Sequence, residues 1–223
     1  MRFWEVYSTY YDGLNKLIPY RKMIGDIVSE LEVENNQLVL DAGCGTGNVC
    51  LQLADKASVL GIDSCIPMLD RAKEKLKSYG NATLQYSDLS QDLAFEDNHF
   101  DAAVLSNVLY ALEQPEQVLQ ELHRVLKPDA KLVIVNPVSS PKNMEIFYEH
   151  RRLSKRAFHD YKILSELSLV RLINGIIVKK GAKGKYNFFE HAKILDLLKS
   201  VGFKCTTVKK TYADQAYLIK CTK

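Results

Sequence analysis

Short apolar runs alternate with amphipathic stretches between residues 37 and 137 of the chain. The apolar runs have the length and β-branched content of strands, and they lie at residues 37–42, 57–63, 82–88, 100–108 and 131–137. Between them, helical spacing of apolar residues is clearest at 64–76 and after Pro115. Strands that alternate with helices predict βαβ units, and therefore an α/β fold with a parallel, doubly wound sheet.

The two ends of the chain carry further elements. Helical spacing predicts one helix over 14–31 and another over 191–200, which Gly202 ends. Strand patterns at 203–210 and 215–222 are close enough in sequence to form a hairpin. We therefore divide the chain into an N-terminal helical lid (1–36), an α/β core (37–137), a helical cap insertion (138–189), and a C-terminal helix with a β-hairpin (190–223).

The segment 138–189 departs from this alternation in both pattern and charge. It holds eleven lysine and arginine residues against four acids, a net charge of +7 in a chain whose total is +3. It also contains a strongly apolar helical stretch at 163–178. One interpretation is a solvated face whose amphipathic helix packs on the sheet. The other is selection of an anionic or amphipathic substrate, or peripheral contact of 163–180 with an anionic membrane surface.

Composition adds few constraints. Hydrophobic residues make up 47% of the 223 positions, enough for a substantial core, and the small net charge does not indicate a nucleic-acid partner. The five cysteines are scattered and odd in number, so we expect neither a disulfide framework nor a metal site, and a cytoplasmic location fits best. The N-terminus lacks the pattern of a signal peptide, and no apolar run reaches the ~18 residues of a membrane span.

Three glycines at alternate positions follow the first predicted strand, in the stretch LVLDAGCGTGNVC (38–50). Glycines at such a turn let a ligand approach backbone N–H groups at the start of a helix. The dinucleotide fingerprint is G-x-G-x-x-G, and Asn48 stands where its third glycine would be. A pyrophosphate ligand is therefore less favoured, and a tight turn without any ligand is the structural alternative.

Two acids end the next predicted strands on the same edge of the sheet. Asp63 lies 22 residues after Asp41, where a carboxylate can accept hydrogen bonds from both hydroxyls of a ribose. Asp88 could accept from the exocyclic amine of a base. A helix N-terminal acid and a turn cap are the structural alternatives for these two positions. Together with the glycine turn, the acids predict a nucleoside site.

These stretches resemble the motifs of the class I S-adenosylmethionine-dependent methyltransferases, in particular the small-molecule branch (methyltransferase type 11, ubiquinone-biosynthesis-like). The similar segments are LDAGCGTGN, GIDSCIPMLDRAKEK, DLSQDLAFEDNHFDAAVLSNVLYAL and LHRVLKPDAKLVIVNP. The resemblance implies a Rossmann-like, seven-stranded, mostly parallel sheet with an antiparallel last strand, and S-adenosylmethionine as the cofactor. It implies cofactor contacts at Tyr11, Asp41, Gly43, Cys44, Gly45, Asp63, Ser64, Met68, Asp88, Leu89 and Asn107.

The chemistry that this resemblance implies is methyl transfer to O, N or C of a small-molecule acceptor. A sulfonium methyl is already activated, so holding the acceptor in line and excluding water supplies much of the rate, and no catalytic dyad is needed. A general base helps only if the acceptor loses a proton. Candidates for that role are His150, His159, His191 and Tyr217.

Other functions remain open at this point. The stretch SNVLYAL lacks the Asn/Asp-Pro-Pro-aromatic run with which related enzymes grip a flipped base, which argues against DNA adenine methylation. A protein of this fold could bind the cofactor without methylating anything, as a regulatory partner or as an enzyme of another reaction. A NAD-dependent oxidoreductase is less favoured because of the glycine spacing.

Overall fold

A computed structural model describes residues 2–154, 167–184 and 186–223. Its strands are β1 (Leu38–Ala42), β2 (Ser58–Asp63), β3 (Ala82–Tyr86), β4 (Phe100–Ser106), β5 (Leu126–Pro137), β6 (Lys204–Thr211) and β7 (Ala216–Thr222). These described strands form one seven-stranded sheet in the order β3-β2-β1-β4-β5-β7-β6. β7 is antiparallel to both of its neighbours, and the other adjacent pairs are parallel. The predicted fold class and the predicted terminal hairpin are thereby confirmed.

Helices cover both faces of this sheet. They are α1 (Arg2–Tyr11), α2 (Ile18–Leu31), α3 (Asn48–Leu53), α4 (Ile66–Leu76), α5 (Pro115–Val125), α6 (Asn143–Ser154), α7 (Ser168–Ala182) and α8 (His191–Val201), with 3-10 helices at Asp12–Lys16 and Leu109–Ala111. Successive residues of β1 alternate between two cores: Val39 belongs to the core that contains Ile27 of α2, and Leu40 belongs to the core that contains Leu119 of α5 and Leu198 of α8. The sheet is therefore doubly wound, as the alternation of strands and helices predicted.

The N-terminal helices differ from the single helix predicted over 14–31. The chain forms α1, a 3-10 turn and then α2, and Leu17 is extended between them (φ −83°, ψ 125°). Pro19 explains the break, because proline has no N–H and is tolerated only in the first turn of a helix. The break brings Tyr7 of α1 and Tyr20 of α2 to the same cavity.

β5 begins at Leu126, five residues before the predicted start at 131. Leu126 is already extended (φ −78°, ψ 140°), and Pro128 prevents the helix from resuming. The pairing of β4 with β5 shifts register in this stretch, and Asp129 takes a left-handed φ of 61° there. The irregular start of β5 thus lies at the end of the strand away from the residues described below.

The terminal hairpin corrects one expectation drawn from the cysteine pattern. Cys205 of β6 faces Cys221 of β7, with their Cα atoms 3.9 Å apart, and a disulfide joins them. Strand register brings the two residues together, and sequence spacing alone does not reveal register. Cys44, Cys50 and Cys65 are buried free thiols.

Candidate active site

A cavity of about 590 Å³ opens at the edge of the sheet where the parallel strands end. Residues that end or follow strands β1 to β5 line it, namely Gly43, Asp63, Ser87, Ser106 and Pro137. In doubly wound folds, ligands bind beyond this carboxyl edge. The cavity therefore lies where the sequence predicted a ligand.

The wall that follows β1, β2 and β3 is called here the glycine side, and it contains Gly43, Gly45, Asp63, Ser64, Met68, Asp88 and Leu89. Gly43 and Gly45 have φ values of 76° and 54°, which favour glycine. A Cβ atom on Gly43 would lie 2.4 Å from Cγ2 of Val108, so a side chain there would collide. A Cβ on Gly45 would meet only Sδ of Met68, at 3.9 Å. The turn thus leaves open space that a ligand can fill.

Asp63 is held in place by backbone groups of the same wall. Its Oδ2 accepts from the N–H of Gly45 at 2.8 Å, and its Oδ1 accepts from the N–H of Cys65 at 2.8 Å. Burial raises the pKa of this carboxyl, and the two backbone N–H groups oppose that rise. Each carboxylate oxygen has a second lone pair, so Asp63 can still accept from hydroxyls of a ligand.

Nine of the eleven predicted cofactor residues line the cavity: Tyr11, Gly43, Gly45, Asp63, Ser64, Met68, Asp88, Leu89 and Asn107. Asp88 also caps its own turn, because its Oδ1 accepts from the N–H of Ser90 at 2.9 Å. Asn107 follows β4 in a left-handed conformation, with φ 56°. Asp88 therefore caps a turn and also lines the cavity, so the structural role does not exclude the predicted contact with a ligand.

Asp41 and Cys44 are the two predicted cofactor residues that the structure does not place on the cavity. Asp41 is 1% exposed, and its Oδ2 accepts from the thiol of Cys50 at 3.1 Å. Burial raises the pKa of Asp41 to about 6, and the hydrogen bond from Cys50 opposes that rise. Cys44 is also buried, with its sulfur packed against Gly61. The side chain of Asp41 therefore lies away from the cavity, whereas the contact predicted for Cys44 involves its backbone and stays a prediction.

A polar network that no sequence motif indicated joins the N-terminal segment to the glycine turn. Nζ of Lys75 on α4 donates to Oδ1 of Asp12 at 2.8 Å, and Oγ1 of Thr46 donates to the same oxygen at 2.6 Å. Lys75 also donates to Oδ1 of Asn48, whose Nδ2 donates to the hydroxyl of Tyr20 at 3.2 Å. The network joins residues of the N-terminal segment, the glycine turn and α4, which are distant in sequence. The sequence pattern around Lys75 therefore did not predict these contacts.

Aromatic rings form a second wall, called here the aromatic side, which contains Trp4, Tyr7, Tyr11, Tyr20, Tyr110, Phe188 and Tyr212. Ring centroids 5.2 to 6.4 Å apart link Tyr7 through Tyr11 and Tyr20 to Tyr212. Tyr110 stacks on Phe188 at 5.3 Å with an interplanar angle of 12°. Burial raises the pKa of all five tyrosines, so their hydroxyls are neutral at physiological pH.

Neutral polar groups complete the aromatic side. The hydroxyl of Tyr7 donates to Oδ1 of Asn174 at 2.6 Å and so connects α1 to α7. The amides of Asn143 and Gln215 line the cavity as well.

Among the described lining residues none is lysine, arginine or histidine, whereas three are carboxylates: Asp63, Asp88 and Glu113. The positive charge of 138–189 is therefore not displayed by the described walls of the cavity.

The predicted general-base candidates do not lie on the cavity in the described part of the chain. His150 is 2% exposed, and its Nδ1 accepts from the N–H of Ile18 at 3.2 Å, which holds the start of α2. His191 packs against Tyr217 with their rings 5.0 Å apart, and neither lines the cavity. His159 lies outside the described residues. A packing or capping role fits the three described side chains better than proton transfer.

Known proteins provide an independent comparison. Residues 40–134 match the family model whose description is "Methyltransferase domain" (Methyltransf_11). The demethylmenaquinone methyltransferase of Lactobacillus johnsonii is 27% identical over 223 positions, which cover 91% of this chain and 84% of the relative. The ubiquinone/menaquinone biosynthesis C-methyltransferase UbiE of Citrifermentans bemidjiense is 33% identical over 135 positions, 56% of this chain and 57% of the relative. The matched segment and these relatives support a methyltransferase that uses S-adenosylmethionine.

Solved structures of low sequence identity share the fold of this methyltransferase. A SAM-dependent methyltransferase from Aquifex aeolicus superposes with a TM-score of 0.65 at 17% identity, covering 95% of this chain and 92% of the other. The N-methyltransferase NodS from Bradyrhizobium japonicum WM9, in complex with S-adenosyl-L-homocysteine, gives 0.67 at 16% identity, with 94% and 90% covered. The [4+2]-cyclase SpnF gives 0.67 at 17% identity, with 92% and 81% covered. The fold therefore hosts more than one chemistry.

The glycine side fits the cofactor of the family, S-adenosylmethionine. The open space beside Gly45 admits a ligand against the backbone, and Asp63 has lone pairs for ribose hydroxyls. Asn48 in place of a third dinucleotide glycine is consistent with this cofactor, and methyl transfer is supported over NAD-dependent oxidation.

Two kinds of structural feature are absent from the described residues. No helix in the described ranges is long and apolar enough to cross a bilayer. In the same ranges, no group of three or more His, Cys, Asp or Glu residues is arranged to hold a metal ion.

Proposed function

We propose that this methyltransferase transfers the methyl group of S-adenosylmethionine to a ring carbon of a neutral, quinol-type aromatic acceptor. The observation that carries the proposal is the aromatic side, which has many rings and no cation among its described residues. A flat uncharged ring gains stacking and dispersion contacts there, whereas an anion would lose hydration without a cationic partner. The names of two relatives, a demethylmenaquinone methyltransferase and a ubiquinone/menaquinone C-methyltransferase, support the same acceptor class.

The residues of the chain would act mainly by positioning. When bound, S-adenosylmethionine supplies a methyl group that is already activated by its sulfonium. Gly43 and Gly45 leave backbone space on the glycine side, and Asp63 accepts the ribose hydroxyls. The aromatic side holds the acceptor ring and keeps water out. Proximity and orientation of this kind can account for ~7–11 kcal/mol of a barrier.

Methylation of a quinol ring carbon releases a proton, and we assign Glu113 to accept it. Glu113 follows the 3-10 helix Leu109–Ala111 after β4, whereas Asp63 and Asp88 belong to the glycine side. Glu113→Gln should lower kcat by ~100-fold with little change in KM. An unchanged kcat would show that the proton leaves directly to water.

The described part of 163–180 supports peripheral contact with an anionic membrane, which would suit an amphipathic acceptor. On α7, Leu172 is 60% exposed and Ile176 is 38% exposed, and Lys179 is exposed near them. Asn174 of the same helix lines the cavity, so α7 lies between the cavity and solvent. Co-sedimentation with vesicles tests this contact: binding should require anionic lipid, and equal recovery with neutral vesicles would contradict it.

The acceptor proposal has a direct test. The whole chain is incubated with methyl-labelled S-adenosylmethionine and a naphthoquinol whose ring carbon at position 2 or 3 is free, and products are analysed by mass spectrometry. Label on a ring carbon is expected. Cofactor binding in a calorimeter without any labelled product would favour a protein that binds the cofactor and does not methylate this class.

A cytoplasmic location is also part of the proposal, and cell fractionation tests it. The Cys205–Cys221 disulfide is the observation that stands against a reducing compartment.

A further inference from the structure

The turn between β6 and β7 contains three consecutive residues in the left-handed conformation. Tyr212, Ala213 and Asp214 have φ values of 54°, 56° and 61°, and none of them is glycine. Each L-residue pays an energetic cost in this region, and runs of such residues are rare. Strained backbone persists only where surrounding contacts fix it, and it clusters at functional sites. Contacts around this turn must therefore hold it in place.

The sheet topology places the turn at the cavity. β7 is antiparallel to β5, so its first residue, Ala216, pairs with Pro137 at the carboxyl end of β5. Tyr212, Gln215 and Ala216 accordingly line the cavity. This position is four strands away from β2, which carries Asp63 of the glycine side. The turn therefore belongs to the part of the cavity that the cofactor residues do not form.

Contacts on two sides hold the turn in its strained form. At its base, Oγ1 of Thr211 donates to Oδ2 of Asp26 at 3.1 Å, and the ring of Tyr212 packs on that of Tyr20 at 5.9 Å. These contacts anchor the turn to α2. The left-handed conformation is thus held by contacts with α2, and no glycine of the turn relieves it.

Gln215 connects the same turn to the segment that leads into α6. Its Oε1 accepts from the N–H of Lys142 at 2.6 Å, and its backbone oxygen accepts from the N–H of Val138 at 3.0 Å. Its Nε2 donates to the backbone oxygen of Ala213 at 3.0 Å. One residue therefore fixes both the turn and the entry to the helical cap.

We propose that the left-handed turn Tyr212–Asp214 is a positioning element for the methyl acceptor, which holds Tyr212 and Gln215 rigidly on the acceptor's side of the cavity. The inference rests on the proposed function for its acceptor class, a neutral quinol-type ring. It assigns the turn a role in acceptor affinity and orientation and none in cofactor affinity.

A matched pair of substitutions tests the proposal. Asp214 and Asp129 are both exposed aspartates with a φ of 61°, and only Asp214 belongs to the turn. Asp214→Gly and Asp129→Gly relieve the same backbone strain and remove the same charge, so their melting temperatures should shift alike. Asp214→Gly should raise KM for a naphthoquinol ~5-fold or more and lower kcat, while Asp129→Gly and the cofactor affinity of both variants stay unchanged. Ala213→Gly, which removes only a methyl group, should act like Asp214→Gly.

Trp4 provides a readout that does not depend on turnover. It is the single tryptophan of the chain and lines the cavity, so quenching of its fluorescence by a naphthoquinone reports occupancy. Weaker quenching in Asp214→Gly than in Asp129→Gly supports the proposal. It does so even if the wild type binds the quinone without methylating it, because that result contradicts only the proposed function. If the wild type binds no quinone, amide exchange decides: exchange at Val138 and Lys142 should accelerate in Asp214→Gly alone. Equal kinetics, quenching and exchange in the two variants would overturn the proposal.

Discussion

The glycine side of the cavity presents backbone and carboxylate groups, whereas the aromatic side presents rings and neutral amides. The first wall comes from the turns after β1, β2 and β3, and its residues fall within 43–89. The second wall draws on α1, α2, the turn after β4, α7 and the β6–β7 turn. A cofactor on the glycine side would thus need only a short, contiguous part of the chain, while the aromatic side, which we propose holds the acceptor, can change without disturbing it.

Charge also differs between the two walls. Asp63 and Asp88 lie on the glycine side, whereas buried neutral tyrosines dominate the aromatic side, and Glu113 is the remaining carboxylate among the described lining residues. A carboxylate fixed by backbone N–H groups selects hydroxyl and amine donors, whereas an aromatic wall selects shape and apolar area. Substitutions on one wall should therefore change one binding step and leave the other nearly intact.

The largest expected effect is on cofactor affinity. Asp63→Ala removes the carboxylate that faces the cavity and frees the N–H groups of Gly45 and Cys65, so the Kd for S-adenosylmethionine should rise ~100-fold, about 3 kcal/mol. Calorimetry measures it. Quenching of Trp4 by a naphthoquinone should persist.

Asp70→Ala is the matched control for this prediction. Asp70 is an exposed acid on α4 that does not line the cavity, so its removal should leave the Kd unchanged. Equal affinities of the Asp63 and Asp70 variants would show that Asp63 does not bind the cofactor.

On the aromatic side, Phe188→Leu should raise the KM for a naphthoquinol ~10-fold and leave the Kd for S-adenosylmethionine within ~2-fold. The leucine keeps most of the volume but loses the stacking with Tyr110, which is worth ~1 kcal/mol beyond its area. Phe189→Leu is the control, because Phe189 is the adjacent ring and does not line the cavity. A rise in the cofactor Kd in Phe188→Leu would mean that the walls are not independent.

The same division explains what could be predicted from the sequence. The glycine turn and Asp63 stand at strand ends, so local pattern alone placed them on one edge of the sheet, and nine of the eleven predicted cofactor residues line the cavity. Asp41 was not expected to be buried with Cys50, because only packing decides on which side of a turn a side chain lies. The core strands were predicted well for the same local reason, although β5 starts earlier.

The aromatic side could not be predicted from local sequence pattern. Tyr7, Tyr110 and Tyr212 meet only because α1, the turn after β4 and the β6–β7 turn come together in three dimensions. A tyrosine in a sequence carries no sign of which tyrosine it will approach. His150 was an attractive base by residue type, yet it binds the backbone of Ile18. Residue type alone cannot separate a catalytic histidine from one that stabilises a helix start.

A smaller effect is expected where the two walls are joined. Lys75→Met removes the cation that binds Asp12 and Asn48 next to the glycine turn, so the Kd for S-adenosylmethionine should rise. The expected rise is only ~5-fold, about 1 kcal/mol, because the ion pair is partly exposed. Lys73→Met is the control, since Lys73 is exposed on the same helix. In combination with Asp12→Asn the effects should be less than additive. Additive effects would show that Asp12 and Lys75 are not coupled.

The smallest effect on function is expected at Asp41, where stability should change instead. The pKa of Asp41 is about 6 in the folded protein and about 3.8 without burial, so between these pH values the folded chain binds more protons. Asp41 therefore lowers the free energy of unfolding as pH rises from about 4 to about 6, by at most ~3 kcal/mol.

Asp41→Asn removes this titration and tests its placement. The free energy of unfolding is measured with denaturant at pH 4 and at pH 7. The difference between the two pH values should be more favourable to pH 7 in the variant than in the wild type, because the variant lacks the loss caused by ionisation of Asp41. The Kd for S-adenosylmethionine at pH 7 should stay within ~2-fold, because the carboxyl is buried against Cys50 and does not line the cavity. A large loss of cofactor affinity with no change in the pH dependence of stability would contradict this placement. It would show that Asp41 binds the cofactor together with the residues of the glycine side.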